Sequence, residues 1–288
     1  MRDLIKLMRP KHYLKNMLIF VPLLFSGRLT ESGLLMRSAL AFASFCLLSS
    51  FVYIINDLKD VESDRAHSTK CNRPIASGRV SQKQAVVLAG VLLLISIFLL
   101  AVLQGKPGLW AVAGLYLCIN LVYSVLGGKH VAVLDVLLLA SGFLWRLLFG
   151  ALAVEVVISN WLYLTVITAS FYLAFGKRRN EMRTETGKTR PVLKNYTQAF
   201  LDRSMTMCLT LAIAFYALWS IDASTVAHHT NPHAIWTVPL IMAMVFRYSM
   251  DMEHPSSGDP MEMIAHDKVL WLLGVGYTAL MYWIVYGF

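Results

Sequence analysis

Four polar side chains close an apolar stretch of the sequence and share the spacing of one helical face. Asn56, Asp60 and Asp64 follow one another at intervals of four residues, and Asp57 stands three residues before Asp60. A helix continued through this segment would line all four along one side. Carboxylate and amide oxygens without histidine or cysteine favour a hard cation such as Mg²⁺, which completes its shell with water and substrate phosphates. The spacing therefore predicts a magnesium site.

Basic residues follow these acids within the same loop, 56–83, at Arg65, Lys70 and Arg73. Carboxylates clustered beside basic residues are the pattern expected for a metal-bridged diphosphate. The alternative is a solvated helix end whose acids pair with nearby lysines and arginines, since exposed ion pairs are common and weak. From spacing alone the two interpretations carry equal weight.

A second charged segment, G-K-R-R-N-E at 176–181, follows a later apolar run. It adds Lys177, Arg178, Arg179 and Glu181 at a predicted membrane exit. The simplest interpretation is a basic anchor that fixes the orientation of the chain in the membrane.

The composition places both segments on a membrane protein. Of the 288 residues, 57% are hydrophobic and 15% are charged, and the mean hydropathy is +0.58, far from the average of soluble domains. A membrane-spanning helix needs about 20 apolar residues, so roughly eight to ten spans would occupy nearly the whole chain. We therefore expect an all-α, polytopic membrane protein with one domain, 1–288, whose charged loops are 56–83 and 177–203.

Apolar runs of spanning length predict nine transmembrane helices. Seven runs are clear, namely 38–55, 84–103, 108–126, 131–154, 156–176, 204–221 and 269–288. Two weaker runs, 14–27 and 234–248, contain Pro22 and Pro239. Membrane helices tolerate proline where neighbouring groups satisfy the freed carbonyls.

Basic residues are distributed unevenly over the ends of these helices. Residues 1–16 hold five Lys and Arg, the 56–83 loop six and the 177–203 loop eight. The opposite face holds only Arg28, Arg37 and Lys106. Because basic residues in short loops stay on the cytoplasmic side, we expect a cytoplasmic N-terminus, cytoplasmic charged loops and an outer C-terminus in the cytoplasmic (inner) membrane.

Other classes of protein are disfavoured by charge and cysteine usage. The net charge of +9 is accounted for by topology and by anionic lipid headgroups, so nucleic-acid binding is not expected. The cysteines show no C-x-x-C spacing and three of the four lie in apolar runs, which disfavours a thiolate metal site or a disulfide framework. No small-residue cleavage pattern follows the first apolar run, so no cleavable signal peptide is expected.

The motif N-D-x-x-D-x-x-x-D at 56–64, followed by R-P-I-A-S-G at 73–78, resembles the first signature of the UbiA superfamily of intramembrane transferases. The resemblance covers essentially the whole chain. It implies nine transmembrane helices around a lipid-accessible chamber. It also implies that Asn56, Asp57, Asp60 and Asp64 hold Mg²⁺ and a diphosphate, with the three aspartates as the catalytic groups.

Further segments resemble the decaprenyl-phosphate phosphoribosyltransferase branch, whose members move a 5-phosphoribosyl group from phosphoribosyl diphosphate (PRPP) to a polyprenyl phosphate. They are R-P-K-H-Y-L-K-N at 9–16, Y-S at 123–124, K-H at 129–130, the stretch 134–143 with Arg146, G-K-R-R-N-E at 176–181 and R-Y at 247–248. The resemblance implies a role in making a lipid-linked pentose donor, such as arabinose, for cell-envelope polysaccharide.

One departure from the superfamily pattern bears on the substrate. Members that use prenyl diphosphates place a second D-x-x-x-D after the sixth helix, whereas this sequence has K-R-R-N-E with one acid. Fewer acids and more basic groups make a poorer second metal site and a better clamp for an additional phosphate. The departure favours a phosphorylated sugar donor. Smaller departures, at Ser68, Cys71, Asn72, Gly127 and Gly128, concern the loops.

The branch resemblance and the charges together assign candidate ligands. For PRPP they are Lys70, Arg73, Tyr123, Lys177, Arg178 and Glu181. For the lipid phosphate they are Lys11, Lys15, Asn16, Lys129 and Arg146. Juxtamembrane lysines are also common headgroup anchors. Arg146, about 16 Å into the membrane from Asp135, is either a functional charge or a buried strut between helices.

Two other functions share some of these features. A prenyltransferase acting on an aromatic acceptor would use the same first motif. A transporter of a phosphorylated metabolite is less expected, since transporters place their polar groups near the bilayer midplane. The expected partners are PRPP, polyprenyl phosphate and membrane lipids, with assembly into a homo-oligomer left open.

Overall fold

The computed structural model describes residues 2–66, 70–104, 106–124, 131–184, 191–227, 229–253 and 267–287. Regular structure in these ranges is helical throughout, with no strand. The predicted all-α class is therefore confirmed.

The α-helices follow one another along the chain with short connections. They are α1 (Arg2–Met8), α2 (Val21–Phe25), α3 (Leu34–Lys59), α4 (Val61–Arg65), α5 (Gln82–Val102), α6 (Pro107–Ser124), α7 (Leu134–Val154), α8 (Asn160–Thr184), α9 (Gln198–Ile221), α10 (Ala223–Val226), α11 (Val238–Glu253) and α12 (Lys268–Tyr286). Four 3₁₀ segments lie between them, at Pro10–Phe20, Lys70–Asn72, Pro191–Asn195 and Ala234–Thr237.

Six of the described helices are long and apolar enough to cross a membrane, namely α3, α5, α6, α7, α9 and α12. This agrees with a polytopic membrane protein. The other three predicted spans are also helical, but they are broken, charged or short. The run 14–27 covers most of the 3₁₀ segment Pro10–Phe20 and all of α2. The run 156–176 enters the charged helix α8 at Asn160, and the run 234–248 lies in Ala234–Thr237 and α11. The count of nine spans stays a prediction.

Polar caps set the start of several helices. Ser81 accepts a hydrogen bond from the Gln84 amide, and the Gln84 side chain accepts one from the Ser81 amide, so a capping box begins α5. Thr197 accepts from the Phe200 amide at the start of α9. These side chains satisfy amide groups that have no partner within the first helical turn.

The chain divides into two compact units. The first comprises residues 1–23, 31–128 and 145–156, and the second comprises 24–30, 129–144 and 157–288. Helix α7 contributes its beginning to the second unit and its end to the first.

In the first unit α3 packs against α5 and the 3₁₀ segment Pro10–Phe20. Ser44 and Ser96 each donate a hydroxyl hydrogen bond to the other's backbone carbonyl, at 3.0 and 2.9 Å. Small residues allow this close approach of two membrane helices. Phe45 packs its ring against Phe149, so the core of the unit lies around α3.

In the second unit α8 and α9 form the main helix pair. Its core includes Phe175 of α8, Leu201 and Met205 of α9, and Met252 of α11. This packing holds the charged end of α8, where K-R-R-N-E lies, against α9 and α11.

Candidate active site

The acidic motif lies where α3 ends and α4 begins. Helix α3 extends to Lys59, and Asp60 ends it with φ −90° and ψ 11° before α4 starts at Val61. The predicted continuous helix is therefore interrupted at Asp60. Helical hydrogen bonds nevertheless cross the break, because the Asp60 amide donates to the Asn56 carbonyl at 3.0 Å and the Asp64 amide to the Asp60 carbonyl at 2.8 Å.

Asp57 and Asp64 are brought together by one guanidinium group. Nη1 of Arg73 lies 3.0 Å from Oδ1 of Asp57 and 2.7 Å from Oδ2 of Asp64. Both aspartates are buried, with 3% and 4% of their surface exposed. Asn56, Asp60 and Lys70, which are close to these aspartates in the sequence, are half-buried. The structure thus pairs two of the four predicted metal ligands through an arginine predicted to bind PRPP.

Arg9 is a site residue that the sequence reasoning did not assign. Its Nη2 donates to Oδ1 of Asp57 at 2.6 Å, and its guanidinium carbon lies 5.1 Å from the centre of the Tyr53 ring. Arg9 connects α1 to the 3₁₀ segment with φ 56° and ψ 58°, a left-handed conformation that is costly for a residue with a side chain. The sequence feature that could have pointed to Arg9 is its position as the first residue of R-P-K-H-Y-L-K-N.

The carboxylate pair has the donor chemistry of a magnesium site. Mg²⁺ is commonly held by one or two carboxylates, and water and phosphate complete its shell. The oxygens of Asp57 and Asp64 already flank one cationic nitrogen, so the pair fits a small cation. Among the described residues no group of three or more His, Cys, Asp or Glu is arranged to hold a metal. The structure brings two carboxylates together here, and an ion held by them would take its other ligands from water, phosphate or neighbouring groups of the motif.

The 3₁₀ segment Pro10–Phe20 carries three of the residues predicted to bind the lipid phosphate. Lys11 is exposed and Lys15 is half-buried. Nζ of Lys15 lies 3.4 Å from Nδ1 of His12, and the ring of His12 lies 5.4 Å from that of Tyr53. Because Tyr53 also contacts Arg9, a row of polar and aromatic groups connects Lys15 to the acidic pair.

Asn16 and Arg146, both predicted as ligands of the lipid phosphate, form a hydrogen bond with each other. Nε of Arg146 donates to Oδ1 of Asn16 at 2.6 Å, and Asn16 donates to Sγ of Cys46 at 3.1 Å. The guanidinium carbon of Arg146 lies 5.3 Å from the Phe45 ring centre and 5.6 Å from that of Tyr116. Asn16 is fully buried and Arg146 is 5% exposed. This is the geometry of a strut between helices.

Arg178 is enclosed by carboxylates in the second unit. Its Nε lies 2.5 Å from Oδ2 of Asp135 and its Nη1 lies 2.6 Å from Oε2 of Glu181. Neither Arg178 nor Asp135 has exposed side-chain surface. Arg178 and Glu181, both predicted to contact PRPP, are thus engaged with each other, whereas the neighbouring Lys177 is half-buried.

Tyr196 completes the Arg178 network. Its hydroxyl donates to Oδ1 of Asp135 at 2.6 Å and accepts from the Val133 amide at 2.6 Å. Burial and the hydrogen bond to the Asp135 carboxylate raise the pKa of Tyr196 to about 12. The phenol therefore stays neutral at physiological pH and serves as a hydrogen-bond donor. Sequence reasoning did not single out Tyr196.

Arg179 ties together three helices of the second unit. It forms ion pairs with Asp202 of α9 and, at 2.7 Å, with Glu253 of α11, and Arg183 also reaches Glu253, at 3.3 Å. These contacts support the end of α8 that carries Lys177.

The remaining predicted residues are Tyr123, Lys129 and the R-Y pair at 247–248. Tyr123 is half-buried in the last turn of α6. Lys129 lies outside the described residues. Arg247, part of the R-Y pair at 247–248, donates to Oδ2 of Asp267 at 2.5 Å, and this hydrogen bond lowers the pKa of Asp267 to about 2.

The helices and the arginine-bridged carboxylates define an all-α membrane protein with a cluster of buried aspartates and arginines at the end of a spanning helix. The family model described as the UbiA prenyltransferase family matches residues 18–266. The chain belongs to this family.

Named relatives cover nearly the whole chain. The decaprenyl-phosphate phosphoribosyltransferase of Mycolicibacterium smegmatis is 35% identical over 284 residues, which is 94% of this chain and 88% of the relative. The protein of the same name from Corynebacterium glutamicum is 34% identical over 281 residues, which is 96% of this chain and 84% of the relative.

The fold is shared with a solved structure of a UbiA homolog from Archaeoglobus fulgidus, bound to GPP and Mg²⁺. The TM-score is 0.70 at 20% identity, over 97% of this chain and 96% of the homolog.

Proposed function

We propose that this protein transfers the 5-phosphoribosyl group of PRPP to a polyprenyl phosphate and releases diphosphate, in a reaction that requires Mg²⁺. The names of relatives 34% and 35% identical over nearly the whole chain support this reaction. The product would be a lipid-linked pentose phosphate for cell-envelope polysaccharide. We further propose that the N-terminus and the loops 56–83 and 177–203 face the cytoplasm, on the basis of their basic residues.

The observation that carries the choice of donor is the ion pair between Arg178 and Glu181, at 2.6 Å. Glu181 is the one acid of K-R-R-N-E, at the position where prenyl-diphosphate users of the superfamily are expected to have a second D-x-x-x-D. Because Arg178 neutralises this carboxylate, the segment is a poor ligand for a second metal. Its half-buried Lys177 suits a phosphate group, and we assign Lys177 to the 5-phosphate of PRPP.

Asp57 and Asp64 are the proposed metal ligands, joined by Asn56 and Asp60 from the same motif. The solved homolog bound to GPP and Mg²⁺ supports a metal–diphosphate unit in this fold. When bound, the ion would neutralise negative charge that develops on the leaving diphosphate oxygen. Arg73, Arg9 and Lys70 supply positive charge for the diphosphate oxygens beside the two buried carboxylates.

The acceptor needs positioning more than activation. By analogy with phosphorylated side chains, a phosphate monoester has a second ionisation near pH 6, so the lipid phosphate is largely dianionic at neutral pH. One of its oxygens forms the bond to C1 of the ribose while the bond from C1 to the diphosphate breaks, through a transition state with oxocarbenium character. No strong general base is required. The protein must hold two anions together against their repulsion, and such positioning contributes several kcal/mol.

We assign Lys11, Lys15 and Lys129 to the lipid phosphate. Asn16 and Arg146 act through each other, because their buried hydrogen bond fixes the 3₁₀ segment that carries Lys11 and Lys15. Likewise Arg178 and Glu181 position the end of α8 that carries Lys177.

Transfer assays with purified protein test the donor. Radiolabelled PRPP, decaprenyl phosphate and Mg²⁺ should give a radiolabelled lipid in the organic phase, and removal of the metal by EDTA should abolish it. A parallel assay offers a prenyl diphosphate with an aromatic acceptor such as 4-hydroxybenzoate. Prenylation of the acceptor together with no lipid-linked ribose phosphate would overturn the proposed function in favour of a prenyltransferase.

A further inference from the structure

Arg73 lies between Asp57 and Asp64, the acidic pair, and contacts both carboxylates. Its Nη1 is within 3.0 Å of Oδ1 of Asp57 and 2.7 Å of Oδ2 of Asp64. Nη2 of Arg9 lies 2.6 Å from the same oxygen, Oδ1 of Asp57. The carboxylate oxygens that suit a divalent ion are therefore already engaged by two guanidinium groups of the chain itself.

The formal charges of these four side chains cancel. A divalent cation entering alone would add two positive charges beside Arg9 and Arg73, in a site whose aspartates are almost wholly buried. A diphosphate entering alone would place several negative charges beside Asp57 and Asp64. Each ligand alone is opposed by like charges at short range, where solvent screens them poorly. Together the two ligands offset each other's charge.

The arginines are the more exposed members of the cluster. The side chains of Arg9 and Arg73 are 24% and 30% exposed, whereas those of Asp57 and Asp64 are 3% and 6% exposed. A long side chain with an exposed head can turn to an incoming phosphate while the buried carboxylates stay in place. Arg9 is moreover held over Asp57 by a left-handed backbone, and strain of this kind is often maintained at functional sites.

We propose that Arg9 and Arg73 close the acidic pair while no donor is bound, so that the protein takes up a divalent metal and a diphosphate jointly rather than one after the other. This inference rests on the proposed function, since it assumes that the acidic pair is the metal–diphosphate site. On joint binding the guanidinium groups of Arg9 and Arg73 would turn from Asp57 and Asp64 to the phosphate oxygens, and the two carboxylates would then be available to hold the metal.

Binding of Mn²⁺ and of inorganic pyrophosphate to the purified full chain tests the proposal without turnover. Mn²⁺ binding alone is followed by electron paramagnetic resonance, and retention of radiolabelled pyrophosphate is measured in Mn²⁺ and in EDTA. The wild type should bind either probe alone weakly. Each should strengthen binding of the other by about tenfold or more, within the usual range of coupling between two ligands.

Three variants distinguish the closing role from general charge effects. Arg9→Gln and Arg73→Gln should each bind Mn²⁺ alone about tenfold more tightly than wild type and lose the coupling to pyrophosphate. Lys83→Gln removes a positive charge from an exposed position in the same unit and should behave as wild type. Because the two arginine variants are independent, failure of one to fold leaves the other as the test.

The proposal is overturned if the wild type binds Mn²⁺ alone as tightly as both arginine variants, or if pyrophosphate binds equally well in EDTA. Either result would leave transfer from PRPP untouched. Conversely, coupled binding of Mn²⁺ and pyrophosphate without transfer from PRPP would contradict the proposed function and leave this inference standing.

Discussion

Arg178 and Asp135 form an ion pair from which water is excluded, with Nε and Oδ2 2.5 Å apart and neither side chain exposed. The pair joins α8 to the start of α7, and Tyr196 and Glu181 extend it on either side. A buried charge must be paired, because desolvation opposes it. The most basic segment of the chain therefore contains an arginine, Arg178, that already has a buried carboxylate partner within the protein.

Replacing Arg178 with Gln should destabilise the protein by about 3–5 kcal/mol, because Asp135 would be left as an uncompensated buried charge. Thermal unfolding in detergent measures this. Lys177→Gln, one residue earlier, should lower the unfolding temperature less than Arg178→Gln does, because it leaves no fully buried charge without its partner, and should raise the KM for PRPP. If Arg178→Gln were as stable as wild type and raised only that KM, Arg178 would instead be a direct PRPP ligand.

Tyr196→Phe should cost about 1–3 kcal/mol of stability, since it leaves Asp135 and the Val133 amide each one hydrogen bond short. The raised pKa of Tyr196, about 12, sets the pH dependence. The stability that the neutral Tyr196 hydroxyl contributes is fully present below the ordinary tyrosine pKa of about 10 and is lost as the pH rises through the folded-state pKa of about 12. The stability difference between wild type and Tyr196→Phe should thus stay constant from pH 7 to about 9. A difference that shrinks between those values would contradict the neutral donor.

Gly150→Ala should destabilise the first unit. A Cβ at this position of α7 would lie 2.1 Å from the backbone oxygen of Ile19, and a backbone atom cannot turn aside as a side chain can. Overpacking of this kind costs about 1–3 kcal/mol. Gly114→Ala in α6 is the matched control, because nothing lies within 4 Å of its Cβ position, and alanine there should be neutral or stabilising. Equal unfolding temperatures for the two variants would count against close packing at Gly150.

Asp57→Asn and Asp64→Asn should each reduce transfer by about 10²-fold or more, because each removes the charge of a proposed metal ligand, and the metal would stabilise the leaving group. The transfer assay with radiolabelled PRPP measures these losses. It also tests Asp60→Asn, for which the motif predicts a comparable loss of activity. Glu62→Gln changes an exposed acid of α4 and should retain activity. Retained turnover in Asp64→Asn would argue against a metal role for the pair.

Asn16 and Arg146 should be coupled in stability. Because Nε of Arg146 donates to Asn16 at 2.6 Å, the effects of Asn16→Ala and Arg146→Gln should be non-additive by about 0.5–3 kcal/mol in a double-mutant cycle. The KM for lipid phosphate separates the two interpretations of Arg146. If Arg146 is a strut, Arg146→Gln should lower the stability and leave the KM for lipid phosphate nearly unchanged. Additive effects on stability together with a raised KM would instead support a direct contact between Arg146 and the lipid phosphate.

The sequence by itself determined the helical class and the positions of the acidic motif. Composition and run length suffice for the first, because a bilayer demands long apolar helices. Intervals of four between Asn56, Asp60 and Asp64 suffice for the second, since they follow helical periodicity. The motif was therefore visible before any fold was known.

Tertiary structure alone decided which charges meet. Arg9 and Asp57 are separated by 48 residues, and Asn16 and Arg146 by 130. No local pattern links residues so far apart, because such pairs form only when separate helices pack. For the same reason the structure divides arginines that look equivalent in the sequence. Arg178 is buried between two carboxylates, while Arg73 remains partly exposed beside the acidic pair, and burial determines whether an arginine can reach a substrate.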